Sequence, residues 1–179
     1  IEIRTMLKDI EIARRLGADG VVFGCLTADG EVDLTSMQIL MEASKGLSVT
    51  FHRAFDVCRN PQKALEEIIE LGCNRILTSG QQPTAEQGIG LLKELQGLAA
   101  GRITLLAGCG VNENNIARIA AETGINELHF SARESIQSEM KFRNEVVSMG
   151  GTVHINEYER NVTSVRRVKE TVEALYKGM

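Results

Sequence analysis

Ser48-Val49-Thr50-Phe51-His52-Arg53-Ala54-Phe55-Asp56 opens as a short β-strand and ends in a burst of polar chemistry. Successive side chains of a strand point to opposite faces, so Thr50 and His52 share one face and Val49 and Phe51 the other. Arg53 and Asp56 lie where the strand runs out. Asn60-Pro61 then starts a helix, with Asn as N-cap and Pro in the first helical position. A strand that feeds a helix through a polar turn is the unit of parallel α/β proteins, whose ligands bind at the carboxyl ends of the strands. His52, Arg53 and Asp56 at one such end are the first candidates for function.

The same unit recurs along the chain. A helix from Met6 to Leu16 ends at Gly17, and Gly20 to Gly24 follows as a strand. A helix from Leu34 to Ser44 precedes the strand Ser48 to His52. Pro61 to Leu71 is a helix closed by Gly72, and Asn74 to Ser79 is the third strand. Thr84-x-x-Gln87 has the form of a capping box, and predicts a helix from there to Leu98. Arg102 to Ala107 is the fourth strand, ending in Gly108-Cys109-Gly110. Asn112 caps a helix to Glu122, Ile125 to Ser131 is the fifth strand, and a long loop leads to a last helix from Ser164 to Tyr176.

Strand starts near residues 20, 48, 74, 102 and 125 have the pitch of βα units in a parallel sheet. The chain reads as one domain over residues 1–179, without linker or low-complexity stretch. Two architectures fit, a doubly wound open sheet and a (β/α) barrel. A TIM barrel needs eight strands and about 250 residues. Five βα units, beginning inside a helix and without Met, read as the C-terminal five-eighths of a (β/α)8 barrel.

Composition excludes several classes of function. Of 179 residues, 43% are hydrophobic and 25% charged, with a net charge of −4, as in ordinary water-soluble domains. The 20 Lys and Arg are scattered, which argues against a nucleic-acid surface. No apolar run is long enough to span a membrane, and the N-terminus lacks a signal-peptide core. Cys25, Cys58, Cys73 and Cys109 form no C-x-x-C pair and read as reduced thiols of a cytoplasmic protein.

The fifth strand repeats the pattern of the second. Glu127, His129 and Ser131 share one face and Leu128 and Phe130 the other. In a barrel the apolar set meets the helices, so the polar set points into the lumen. His52 and His129 then form a metal pair or an acid and a base, with Asp56 or Glu127 orienting them; alternatively each is a hydrogen-bonded core histidine. Glu127 has a second reading as the partner of Arg75. Gly108-Cys109-Gly110-Val111-Asn112 is either a tight turn or an anion cradle at a helix N-terminus. Thr78-Ser79-Gly80-Gln81 is open to the same two readings. Arg143, in the long loop, reaches an anionic ligand or makes a surface ion pair. Cys25, Cys58 and Cys109 all fall near the mouth, where soft thiolates suit Cu(I) or Zn, although isolated cysteines usually serve as small buried hydrophobes.

Leu16-Gly-Ala-Asp-Gly-Val-Val-Phe-Gly24, Thr50-Phe-His-Arg-Ala-Phe-Asp56, Arg75-Ile-Leu-Thr-Ser-Gly-Gln81, Gly108-x-Gly-Val-Asn112, Glu127-Leu-His-Phe-Ser-Ala132 and Met140-Lys-Phe-Arg-Asn144 resemble the CutC family, called copper homeostasis proteins. The resemblance runs in order over nearly the whole chain. It implies a cytoplasmic TIM barrel that self-associates, with copper as the associated metal and about 70 further residues on the N-terminal side. It also implies that Cys25 and Cys109 are not family ligands, because the family's turn usually reads G-G-G or G-A-G and position 25 is more often Val or Ala. No metal ligand is therefore assigned to this chain. Beside a copper-homeostasis protein stands a second reading, an enzyme acting on a small anionic or phosphorylated metabolite. Its catalytic set is His52, Asp56, Glu127 and His129. Its ligand-binding set is Arg53, Ser79, Gly80, Gly108, Gly110, Asn112, Ser131 and Arg143.

Overall fold

The computed structural model describes residues 1–144, 146–147, 149–150, 152–153 and 155–177. In chain order the elements are α1 (Glu2–Arg15), β1 (Gly20–Phe23), α2 (Leu34–Ala43), β2 (Ser48–Phe51), a 3-10 turn (Arg53–Val57), α3 (Pro61–Glu70) and β3 (Arg75–Thr78). Then come α4 (Ile89–Ala99), β4 (Thr104–Gly108), α5 (Ile116–Thr123), β5 (Glu127–His129), β6 (Arg133–Gln137), β7 (Glu159–Thr163) and α6 (Val165–Lys177).

Local signals set the helix starts. Asp33 caps α2, accepting from the Ser36 amide at 3.1 Å and the Ser36 hydroxyl at 2.6 Å. Asn60 caps α3, accepting from the Lys63 amide at 3.0 Å, with Pro61 behind it. No helix among the described residues is long and apolar enough to cross a membrane.

β1 to β5 form one parallel sheet in sequential order. Neighbouring helices touch, α1 with α2, α3 with α4, α4 with α5 and α5 with α6, so they form one layer. A doubly wound sheet reverses its strand order and carries helices on both faces. Sequential order with one helical layer is a length of barrel wall.

Strand alternation decides which side chains meet that layer. Val49, Phe51, Ile76 and Leu105 are buried on the convex, helix-covered side, joined there by Phe55, Leu65 and Ile68. The register sets Thr50 beside Arg75, Arg75 beside Thr104, Leu106 beside Glu127 and Gly108 beside His129 on the concave side. Those concave positions are half-buried, apart from the buried Gly108 and the exposed His129.

Five elements differ from the sequence reading, the first being α1, which begins at Glu2 and not at Met6. Residues 84–88 form turns, and α4 starts only at Ile89. Thr84 does accept from the Gln87 amide at 3.3 Å, but Ala85 donates to the Cys109 carbonyl at 2.9 Å, which ties this stretch to the turn after β4. Asn112 lies one turn ahead of α5, its side chain accepting from the Asn114 amide at 2.9 Å, while Asn115 takes the cap position. The fifth strand pairs only over Glu127–His129. The long loop contains an antiparallel hairpin, β6 with β7. Its strands carry few apolar residues, only Ile136 and Val162, and so give little strand signal.

Cys73 precedes β3, is 6% exposed and lies with its sulfur 3.7 Å from Met41 Sδ. Burial pushes its thiol pKa from 9.0 up to about 11. The raised value favours the neutral thiol in the folded state. Its contribution is complete below pH 9 and disappears as pH rises through 11. Urea titrations are expected to show wild type losing about 2 kcal/mol more stability than Cys73→Ser across that interval. Parallel pH courses for the two proteins would contradict this origin of the shift.

Candidate functional site

The mouth is assembled from the turns after β2, β3, β4 and β5. His52 ends the β2 segment and caps the 3-10 turn, its Nδ1 accepting from the Ala54 amide at 3.2 Å. An accepting Nδ1 leaves the proton of the neutral ring on Nε2. Phe55, in the same turn, is fully buried and anchors it to the core. Arg53 and Asp56 flank that anchor.

Asp56 is the centre of the network. Its Oδ2 accepts from Arg53 Nε at 2.6 Å, and its Oδ1 from the Thr78 hydroxyl at 2.6 Å. The Ser79 amide reaches the two oxygens at 3.0 and 3.1 Å, and the Gln81 amide reaches Oδ1 at 3.3 Å. The Ser79 hydroxyl lies 3.0 Å from Oδ2 and 2.6 Å from the Gln82 carbonyl, and accepts from Arg53 Nη2 at 3.1 Å. Gln81 Nε2 completes the lacing by donating to the Cys58 carbonyl at 2.8 Å. Gly80 is required here: its φ is +69°, and a Cβ would lie 2.5 Å from the Gly88 carbonyl oxygen.

Beside this network a cleft of about 300 Å³ is lined by Arg53, Cys109, Gly110, His129, Ser131 and Arg133. Leu77, Val111 and Phe130 give it an apolar wall. Among the described residues no carboxylate lines it. The hydrogen bond to Asp56 holds the Arg53 guanidinium above its ordinary pKa, and the neighbouring Cys109 thiol adds a smaller push in the same direction. Arg133 has no ion-pair partner among the described residues. The cleft is therefore cationic, partly desolvated and suited to an anion.

The structure thus brings together Arg53, Gly110, His129 and Ser131 at the cleft, with Asp56, Ser79 and Gly80 behind them. Other candidates lie elsewhere. His52 is half-buried and outside the cleft lining. Glu127 is engaged by Arg75, Nε to Oε2 at 2.6 Å and Nη2 to Oε1 at 3.1 Å, the alternative that its sequence allowed. Arg75 Nη1 also reaches the Ser48 hydroxyl at 3.1 Å. Gly108 packs against Leu77, where a Cβ would come within 2.6 Å of Leu77 Cδ1. Asn112 uses its side chain on the Gly110 carbonyl and the Asn114 amide. Arg143 lies 4.7 Å above the Tyr158 ring and donates to Gln137 at 3.3 Å, away from the cleft lining. Arg133 takes a place at the cleft that the sequence reading left unassigned. It lies two residues beyond Ser131, past Ala132, whose φ of +46° breaks the strand alternation.

The thiols do not assemble into a metal centre. Among the described residues no three or more His, Cys, Asp or Glu side chains are grouped to hold an ion. Cys58 and Cys73 are buried and Cys25 and Cys109 half-buried, all as free thiols. These residues do not form a copper cage by themselves.

A family model described as the CutC family matches residues 1–134. The chain belongs to the CutC family. A CutC family protein of Bacteroides thetaiotaomicron is 77% identical over 175 residues, covering 98% of this chain and 70% of its own length. One of Chromobacterium violaceum is 45% identical over 178 residues, covering 99% of this chain and 72% of its own. Among solved structures, the provisionally named copper homeostasis protein CutC of Streptococcus agalactiae superposes with a TM-score of 0.69 at 34% identity. That match covers 72% of this chain and 63% of the other, so the chain spans less than two thirds of that CutC structure. A native KDPGal structure superposes with a TM-score of 0.57 at 13% identity, over 96% of this chain and 65% of that one, which shows a shared fold. In CutC terms the five parallel strands are a partial TIM-like barrel, and the T-F-H-R-A-F-D segment is the β2 strand with the turn that carries Arg53 and Asp56.

Proposed function

We propose that this chain serves a cytoplasmic CutC protein of copper homeostasis by forming a pocket for a small anionic or phosphorylated ligand at the barrel mouth. The observation that carries this reading is the cleft itself, where Arg53, Arg133 and His129 converge with no carboxylate among the lining residues. Arg53 supplies a pre-set guanidinium fork, Arg133 a positive charge without an ion-pair partner among the described residues, Ser131 a hydroxyl, and His129 an imidazole in hydrogen-bonding reach of the cleft. The association with copper comes from the name carried by the Streptococcus agalactiae relative. No step is assigned to copper on this chain.

Calorimetric titration with phosphate esters and dicarboxylates is expected to give binding that Arg53→Ala and Arg133→Ala each weaken about tenfold or more. A Cu(I) competition titration is expected to show no stoichiometric tight site. One ion per chain, lost in Cys25→Ser or Cys109→Ser, together with no anion binding, would replace this reading with direct copper binding.

The proposal includes self-association. Among the described residues β1 and β5 are each paired on one side only, and such edges recruit other strands. Light scattering after size exclusion is expected to give a mass above the 19.6 kDa of one chain. A monodisperse single-chain species with cooperative unfolding would refute the expectation.

A further inference from the structure

We infer that Asp56 is a positioning residue: a buried carboxylate that fixes the Arg53 fork, so that the anion cleft takes its geometry from Arg53 and its net charge from Arg133. The inference rests on the anion-pocket reading and assigns the division of labour within it.

The saturation of Asp56 excludes direct contact with a ligand. Its side chain is 6% exposed. A carboxylate offers about four lone-pair sites, and here five groups crowd them: Arg53 Nε, the Thr78 and Ser79 hydroxyls, and the Ser79 and Gln81 amides. Acting as a base or nucleophile would mean breaking bonds that hold two loops together. The partners of Asp56 among the described residues are Arg53, Thr78, Ser79 and Gln81, and the expected contact with a histidine is not among them.

The consequence falls on Arg53. Two of its donors, on Nε and Nη2, are held by Asp56 and Ser79. The side chain remains 43% exposed and lines the cleft beside Cys109, so its outer N–H groups face a ligand from a fixed orientation. A guanidinium ordered in advance loses less freedom on binding. Its charge, however, is already answered by Asp56 at 2.6 Å. The positive charge left for an anion is that of Arg133.

Two roles for Asp56 make opposite predictions. If Asp56 were only a counter-charge, Asp56→Asn would make the cleft more positive and tighten anion binding. If it positions Arg53, the same variant releases the fork and weakens binding. Calorimetry on the full 179-residue chain, with inorganic phosphate as probe at fixed ionic strength, reads the sign. Asp56→Asn and Arg53→Lys are each expected to weaken phosphate about tenfold, and the double variant to be no weaker than either. Thr78→Val removes a different bond to Asp56 and is expected to cost stability while holding affinity within about twofold. Should Asp56→Asn fail to fold, the Arg53 Nε–H resonance of the unaltered protein carries the test. It is expected as a slowly exchanging NMR signal, and rapid exchange with solvent overturns the inference. Unchanged or tighter binding in Asp56→Asn, or losses that multiply in the double variant, overturns it while leaving the anion pocket intact. Failure of the unaltered chain to bind phosphate or carboxylates removes the pocket reading and this inference together.

Discussion

Gly88→Ala is expected to destabilise the protein by about 3 kcal/mol or more and to abolish anion binding. The position precedes α4, far in sequence from the arginines of the cleft, and its φ is ordinary at −87°. Conformational freedom is not what glycine provides there. A Cβ would lie 1.9 Å from the Ser79 carbonyl oxygen and 2.9 Å from its carbonyl carbon. Both are backbone atoms, so no side-chain rotation relieves the clash. Ser79 is held in place by Asp56, and Gly80 packs against Gly88 from the same side. Relief therefore requires the Ser79–Gln82 turn to move away from Asp56, which releases Arg53. The measurements are the urea midpoint and the phosphate titration. A variant with wild-type values in both would show that this close approach is not needed.

Phe55→Ala is expected to cost about 3–5 kcal/mol, the range for removing a fully buried aromatic ring. Phe55 has no exposed surface and is the one fully buried side chain in the 3-10 turn between Arg53 and Asp56. The loss should therefore appear in two observables. The chemical denaturation midpoint falls, and ligand affinity falls with it because the turn loses its anchor. Phe55→Leu keeps part of the volume and is expected to retain binding with a smaller loss of stability. A stability loss in Phe55→Ala with undiminished affinity would separate the anchor from the site.

The repeating βα plan was readable because its punctuation is local. Asn60 and Pro61 start a helix by capping chemistry within three residues, and Gly72 follows its end with φ of +84°. Strand parity correctly paired Glu127 with His129 on the concave side. The sequence was less informative where a role depends on distant partners. Arg53 and Asp56, three apart, read as an anion-binding group and a carboxylate that orients a histidine, not as partners of each other. Only the fold shows that Thr78, Ser79 and Gln81 close over the carboxylate. Arg75 and Glu127 are 52 residues apart, and the choice between ion pair and catalytic carboxylate needed the register across β4. Arg133 escaped notice because the hairpin it begins carries only two apolar residues, Ile136 and Val162. One apolar residue in each five-residue strand is too few to carry a hydrophobic period.

The Arg75–Glu127 pair has a consequence for how this chain behaves among others. Arg75 on β3 reaches over β4 to Glu127 on β5 and back to Ser48 on β2, so one side chain covers most of the width of the sheet's inner surface. Both members are more than one third exposed, and solvent screening leaves the pair only a small contribution to stability. Its larger effect is on wetting. Ser48, Thr50, Arg75, Thr104 and Glu127 put polar groups on that surface among the apolar Val22, Leu77 and Leu106. Face-to-face stacking of two such sheets would require stripping water from a guanidinium and a carboxylate on each. Contact between copies is therefore expected at the strand edges, where backbone hydrogen bonding enforces register, rather than through the hollow of the sheet.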